Sequence, residues 1–295
     1  MTDPAQLAAL AAVHRRGSFE LAAAELHVTA SAISQRIKAL EETVGTLLIR
    51  RGQPCTATTT GLRLIRHQSE VALLEHALAC DLPLLTHGPA VLRIAVNADS
   101  LATWIIPALA ATPGFLFDLV IDDQDVSQDW LKRGEVSAAV TAHPGPLQGC
   151  DTIPLGLLRY RATASPAYMA RWMPDGPTAK ALTAAPALTF SDKDHLQEIW
   201  VARITGNTAV RAGFPSHRIG SSHGFVDACL ASLGWGLNPE PLVAGHLASG
   251  ALVELSPGTP LDVALHWQFT RLIAPALQPL TDAVRSASRR MLIQS

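Results

Sequence analysis

The sequence predicts an α/β chain in three parts: an amino-terminal winged helix-turn-helix, a long linker helix and a two-lobed α/β domain. Three observations carry this expectation. Residues 19–44 hold two amphipathic helical segments joined by a tight bend. A short hairpin bearing Arg50 and Arg51 follows at once. From Val91 onward, strands alternate with helices, a pattern that implies a parallel sheet covered on both faces. The expected boundaries are 1–58 for the winged domain, 59–89 for the linker helix and hinge, and 90–295 for the remainder.

In chain order, Leu7, Leu10 and Ala11 mark a first helix, ended by Gly17. Ser18 caps the second, in which Phe19, Ala22, Ala23 and Leu26 recur at helical spacing. His27 and Val28 break that period, and Thr29 is a good N-cap for the third. There Ile33, Ile37, Leu40 and Val44 form the stripe expected to be buried. Ser31, Ser34, Gln35 and Lys38 share the opposite face, which is short, polar and rich in donors. A recognition helix needs this division, with one side packed on its own domain and the other reaching base edges and phosphates. A plain surface helix has the same division, so the neighbours decide. Leu47 to Ile49 read as a strand, Gly52 to Pro54 as a turn and Cys55 to Ala57 as a returning strand. That hairpin is the wing. The candidate DNA-binding set is Thr29, Ser31, Ser34, Gln35, Arg36, Lys38, Arg50 and Arg51.

The formal net charge of −2 does not suggest a DNA binder, but the charge is local. Residues 34–66 carry six basic side chains (Arg36, Lys38, Arg50, Arg51, Arg63 and Arg66) against Glu41 and Glu42, a balance of +4. Phosphate attraction acts over roughly 8 Å at physiological salt, so the local balance counts. With 48% hydrophobic and 16% charged residues, the 295-residue chain can bury substantial cores. The amino terminus has no basic region followed by an apolar run, and no stretch reads as a membrane span. Cys55, Cys80, Cys150 and Cys229 are scattered and form no C-x-x-C pair. A cytoplasmic protein without disulfides, metal or cofactor is expected.

From Thr59 to about Leu85 the sequence reads as one long helix. Leu62, Ile65, Ser69, Ala72, His76 and Ala79 step by three or four, with Leu73 and Leu74 beside them. A lone helix leaving a small domain cannot bury this stripe, so it pairs either with a second subunit or with its own chain. Gly88 and Pro89 mark the hinge.

Beyond the hinge, VLRIAV, FLFDLVID and EVSAAVT are strands, with helices at LATWIIPALAA and VSQDWLKRG. The chain is expected to cross into a second lobe near Ala162 to Ser165. That lobe holds ALTF, a helix from Asp194, HRIG, a helix from His223, WGLN, a helix from Pro241, and LVEL. VALHWQF returns to the first lobe, and a final helix over about 277–292 closes it. Lobe I is thus expected at about 90–162 and 267–295, and lobe II at about 163–266.

The run AAAELHVTASAISQRIKALEETVGTLLIRR, followed by TTTGLRLI, resembles the amino-terminal domain of LysR-type transcriptional regulators. VNADSLATWIIPAL (96–109) and LKRGEVSAAVT (131–141) resemble the subgroup that controls basic amino-acid export, the ArgP/LysG regulators. The resemblance runs from about residue 5 to the carboxyl end. It implies a periplasmic-binding-protein-like effector domain, double-stranded operator DNA as a partner, and lysine or arginine as effector. It also implies contact with RNA polymerase, pairing of long helices into homodimers and homotetramers, and an exporter gene as target. The wing RRGQPCTATT departs from many members in lacking further arginines at its tip, which implies weaker phosphate contact there.

In such folds a ligand binds between the lobes, at the carboxyl ends of strands. The first strand ends at Val96, which places Asn97, Asp99 and Ser100 beside a helix amino terminus. The free amides there suit a carboxylate, and Ser100 and Thr103 are the candidates for holding it. Asp99 suits either a helix cap or an α-ammonium. Asp122, Asp123 and Asp125 end the second strand, as solvent-exposed acids or, for Asp123 above all, as partners of a cationic side chain. From the facing lobe come Asp194, Ser221, Ser222 and Phe225. Trp104, Trp235 and Trp267 sit in apolar runs and read as core.

Catalysis is not expected. HExxH, G-x-S-x-G, a phosphate loop and a Cys/His cluster at metal spacing are all missing from the sequence. The alternatives are a LysR-type regulator with a different effector, and an architectural DNA-binding protein with none.

Overall fold

The structure is a computed structural model that describes residues 3–82, 89–122, 127–206 and 214–294. Helix α1 (Pro4–Arg16) starts under Asp3, whose carboxylate accepts from the Ala5 amide at 2.9 Å. It ends at Gly17, whose φ of 69° is the left-handed conformation that reverses the chain into α2 (Phe19–Glu25). Ser18 caps α2, and Thr29 caps α3 (Ala30–Val44) by accepting from the Ala32 amide at 3.1 Å. Leu10, Val13, Ala22, Ile33, Ile37, Leu40 and Leu48 interlock into one small core. Each fully buried leucine or isoleucine there contributes about 1.5–3 kcal/mol.

The wing is shorter than expected. It pairs β1 (Ile49–Arg50) with β2 (Thr56–Ala57), antiparallel, with Leu48 buried just before it and its carbonyl accepting from the Thr58 amide at 2.9 Å. Glu41 on α3 accepts from the Leu48 amide at 2.8 Å and the Ile49 amide at 3.3 Å, so this acid ties the wing to the third helix.

Helix α4 (Thr59–Asp81) opens under Thr58, which accepts from the Gly61 amide at 3.1 Å and donates to the Leu47 carbonyl at 2.9 Å. Its two sides have different partners. Leu73 is buried in the core of the α/β domain, Ala77 packs against that core, and the His76 ring lies 5.5 Å from Phe115. Val71, Leu74, Leu78 and Leu82 stay exposed at helical spacing. Of the two partners expected for the stripe that included His76 and Ala79, a second subunit or its own chain, its own chain covers part of it, because lobe I sits against that side. The expected continuation to Leu85 and the hinge glycine at 88 lie outside the described residues.

The α/β domain begins with β3 (Ala90–Asn97), α5 (Ala98–Thr103) and α6 (Ile106–Ala110). One helix was expected over LATWIIPALAA. It breaks because Trp104 leaves helical geometry and Pro107, which has no amide hydrogen, occupies the first turn of the next helix. Then follow β4 (Phe115–Asp122), α7 (Ser127–Arg133), β5 (Ala138–Thr141) and the long β6 (Cys150–Ala164). Next come α8 (Pro166–Trp172), α9 (Ala179–Ala184), β7 (Ala187–Thr189), α10 (Leu196–Thr205), β8 (Ser216–Arg218) and α11 (Ser222–Leu230). The chain ends with β9 (Gly236–Pro239), α12 (Glu240–Ala248), β10 (Val253–Glu254), β11 (Leu261–Thr270) and α13 (Gln278–Met291).

In lobe I, β3 lies parallel between β4 and β5, and β11 joins antiparallel to β5. Strand β6 runs through both lobes. Its residues from Cys150 to Tyr160 pair with β11, whereas Tyr160 to Thr163 pair with β9. The change of partner is thus centred on Tyr160. Strands β7 and β8 pair in parallel, and the Leu188 amide donates to the Trp235 carbonyl at 2.8 Å beside β9. Trp104, Trp235 and Trp267 are at most 1% exposed, as their apolar surroundings in the sequence predict.

Candidate functional site

Two regions carry chemistry. The first is the outer face of α3. With Ile33, Ile37 and Leu40 turned inward, Ser31, Gln35 and Lys38 are exposed and Ser34 and Arg36 half-buried on the remaining surface. Thr29 stands at the start of this face, its hydroxyl engaged by the helix. Arg50 and Arg51 are exposed on and beside the wing, and the Arg51 guanidinium lies 5.3 Å from the centre of the Phe19 ring. Lys38 makes a loose 3.8 Å contact with exposed Glu42, too solvated to hold it away from a phosphate.

The second region is a cleft between the lobes with roughly 470 Å³ of empty space, part of it open solvent at the mouth. Asn97, at the end of β3, and Asp99, in the first turn of α5, line it from lobe I. Phe190, Asp194, Ser222, Phe225, Leu237 and Asn238 line it from lobe II. Asp99 is not the helix cap. It accepts from the Tyr160 hydroxyl at 2.7 Å and the Ser222 hydroxyl at 2.6 Å, so it links lobe I, the crossover strand and α11. Burial raises its pKa and nearby Asp194 adds to the rise, against the opposing pull of the two hydroxyls. Asp194 accepts from the amides of Phe190 (2.8 Å) and Leu196 (3.1 Å). Its pKa is also raised by burial, and these amides only partly offset the effect. No basic side chain lines the cleft among the described residues. The side-chain oxygens of Asn97 and Asn238 are buried there without a hydrogen-bond partner.

Three residues expected in the cleft have other roles. Ser100 is fully buried, and its Oγ accepts from the Trp104 indole at 2.9 Å. Thr103 donates to the Asp99 carbonyl at 2.5 Å within its own helix turn. Ser221 caps α11, accepting from the Gly224 amide at 3.2 Å, and leaves the lining to Ser222. In each case a nearby partner takes the hydroxyl and turns it from the cleft. Asp123 lies outside the described residues. Phe190, Leu237 and Asn238 were not singled out in the sequence. Asn238 was within reach, because WGLN ends a strand just before a helix, as Asn97 does.

A helix with an exposed polar face, a basic wing and a tethered two-lobed domain with an acidic cleft between its lobes define a ligand-responsive DNA-binding regulator. The chain belongs to the LysR family. Residues 4–62 match the bacterial regulatory helix-turn-helix protein, lysR family, and residues 88–289 match the LysR substrate binding domain. It is 44% identical over 281 residues to the transcriptional regulator ArgP of Pseudomonas aeruginosa, covering 94% of this chain and 92% of that one. The crystal structure of ArgP from Mycobacterium tuberculosis is 41% identical and superposes with a TM-score of 0.82 over the full length of both chains. Full-length LysG from Corynebacterium glutamicum with bound effector Arg is 35% identical, with a TM-score of 0.71 over 99% of this chain and all of that one. The protein is a transcriptional regulator rather than an enzyme. Among the described residues no helix is long and apolar enough to cross a membrane.

Proposed function

We propose that this regulator reads operator DNA with α3 and answers to a basic amino acid, lysine or arginine, bound between its lobes. Ser31, Ser34, Gln35 and Lys38 reach the major groove, Arg36, Arg50 and Arg51 meet phosphates, and Thr29 fixes the start of the helix. Residues 1–58 act as the DNA-binding unit, 59–89 as the linker and 90–295 as the sensor. The effector reading rests on one observation: Asp99 and Asp194 face one cleft to which no described basic side chain contributes. Two half-buried carboxylates without a counter-charge attract a cationic ligand. The first-turn amides of α5, which no side chain caps, are free to meet its α-carboxylate. That the related LysG holds arginine supports the same choice.

The output follows from the linker. The exposed stripe of Val71, Leu74, Leu78 and Leu82 pairs with a second copy and sets two α3 helices at a fixed separation. Closure of the lobes on effector repacks the sensor domains within a dimer or tetramer and changes that separation. The effector can do this only through its different affinity for the two arrangements. The controlled gene encodes an amino-acid exporter, with polymerase contact altered by the change. The test is a calorimetric screen of the twenty amino acids, followed by footprints with and without any ligand found. Lysine or arginine should bind selectively and move the footprint. Selective binding of another amino acid would overturn the effector assignment. Identical footprints in all conditions would make the protein architectural.

A further inference from the structure

We propose that Asn238, with Asn97 opposite it, determines which effector the cleft accepts, its side-chain oxygen receiving an N–H from the ligand's cationic group. This rests on the reading of the cleft as a basic amino-acid site and extends it to residues on both lobes. Asn238 is fully buried and Asn97 is 3% exposed, yet the oxygen of each has no partner. A buried acceptor left unpaired carries its full desolvation cost. In Asn238 the amide nitrogen is already committed, to Thr163 Oγ1 at 3.0 Å and to Cys229 Sγ at 3.4 Å. Those contacts fix the plane of the amide and leave the oxygen as the atom without work. Both asparagines line the cleft, one at the end of β3 in lobe I and one in β9 of lobe II.

The ligand that resolves this is a donor and not an acceptor. Asp99 and Asp194 contribute negative charge, and the two asparagines, one from each lobe, add neutral acceptors. A guanidinium offers five N–H groups in one plane, and an ammonium three on a compact head. Either satisfies an oxygen on each lobe only when the lobes are together, so the pair also couples occupancy to closure.

The experiment is calorimetry of the full-length protein with arginine and with lysine, on wild-type, Asn238→Leu and Asn97→Leu, with melting of each ligand-free protein. Loss of a hydrogen bond to a charged group should weaken binding about 10- to 150-fold in either variant. A loss confined to arginine assigns the contact to the guanidinium. Equal losses for both ligands mean that the oxygen meets a group the two share and does not discriminate between them, which overturns the assignment of effector choice. Asn97→Leu should melt at or above wild-type, because an apolar side chain replaces an unpaired acceptor. If both variants bind as wild-type does, water satisfies the oxygens and the inference falls. A variant that melts lower yet binds normally gives the asparagine a structural role and overturns the inference equally. Wild-type protein that binds neither amino acid refutes the reading of the cleft itself, a separate failure.

Discussion

Replacing Asp99 by Asn separates two demands on one carboxylate. It sits half-buried between the lobes, accepts from Tyr160 and Ser222, and faces Asp194. Burial raises its pKa, and Asp194 reinforces the rise. A carboxylate whose folded pKa lies above its unfolded value adds stability below the unfolded pKa. That contribution is lost as pH rises through the folded value. Above its folded pKa the ligand-free protein therefore carries this charge at a cost, which a bound cation offsets. Asparagine has nearly the same shape and keeps one acceptor oxygen, and both hydroxyls can rotate to receive its amide hydrogens. Asp99→Asn should then melt at or above wild-type at neutral pH without ligand, each kcal/mol appearing as about 2–4 °C in a domain of this size. Affinity should move the other way, since a lost hydrogen bond to a charged group costs about 1.5–3 kcal/mol, or about 10- to 150-fold in Kd. Differential scanning calorimetry and arginine titrations read the two effects separately. Unchanged affinity would remove Asp99 from the effector's contacts. A lower melting temperature without ligand at neutral pH would make the carboxylate a net stabiliser and refute the burial argument.

Three further outcomes are expected. Gln35→Ala should relax base preference and cost about 1–3 kcal/mol on the preferred operator, measured by gel shift on a randomised set; an equal loss on every sequence would make Gln35 a phosphate contact. Gly61→Ala puts a Cβ 2.3 Å from the Leu48 carbonyl oxygen, so the wing and α4 must separate, and the winged domain should lose about 1–3 kcal/mol in a denaturant titration; unchanged stability would mean that this contact yields freely. Affinity for a cationic effector should fall as pH drops, and the fall should begin above the ordinary carboxylate range, because burial raises the pKa of both Asp99 and Asp194; a flat profile would exclude both carboxylates from the contact.

The winged domain was readable from sequence because its signals are local. A cap, a helical period and a turn each span a few residues, and the split between Ile33–Ile37–Leu40 and Ser31–Gln35–Lys38 already separates inside from outside. The alternation of strands and helices likewise announced a two-lobed sheet, and the rule that ligands sit at strand ends led to Asn97 and Asp99. Local signals could not say which way a side chain turns once a partner is in reach. Ser100 had the right position for the cleft, but the Trp104 indole four residues on took its hydroxyl. Contacts between distant segments decided the rest. Asp99 meets Ser222, 123 residues away, and Tyr160, 61 residues away, only because β6 runs through both lobes and brings α11 against α5. Asn97 and Asn238, 141 positions apart, likewise come to line one cleft with their side-chain oxygens unpartnered, and no period or spacing along a single chain encodes that meeting. Sequence determined which elements form and which faces are apolar, because both depend on neighbours within a turn or two. Only the folded chain decided which polar groups share the cleft and which are left there without partners, because that depends on how separate elements pack.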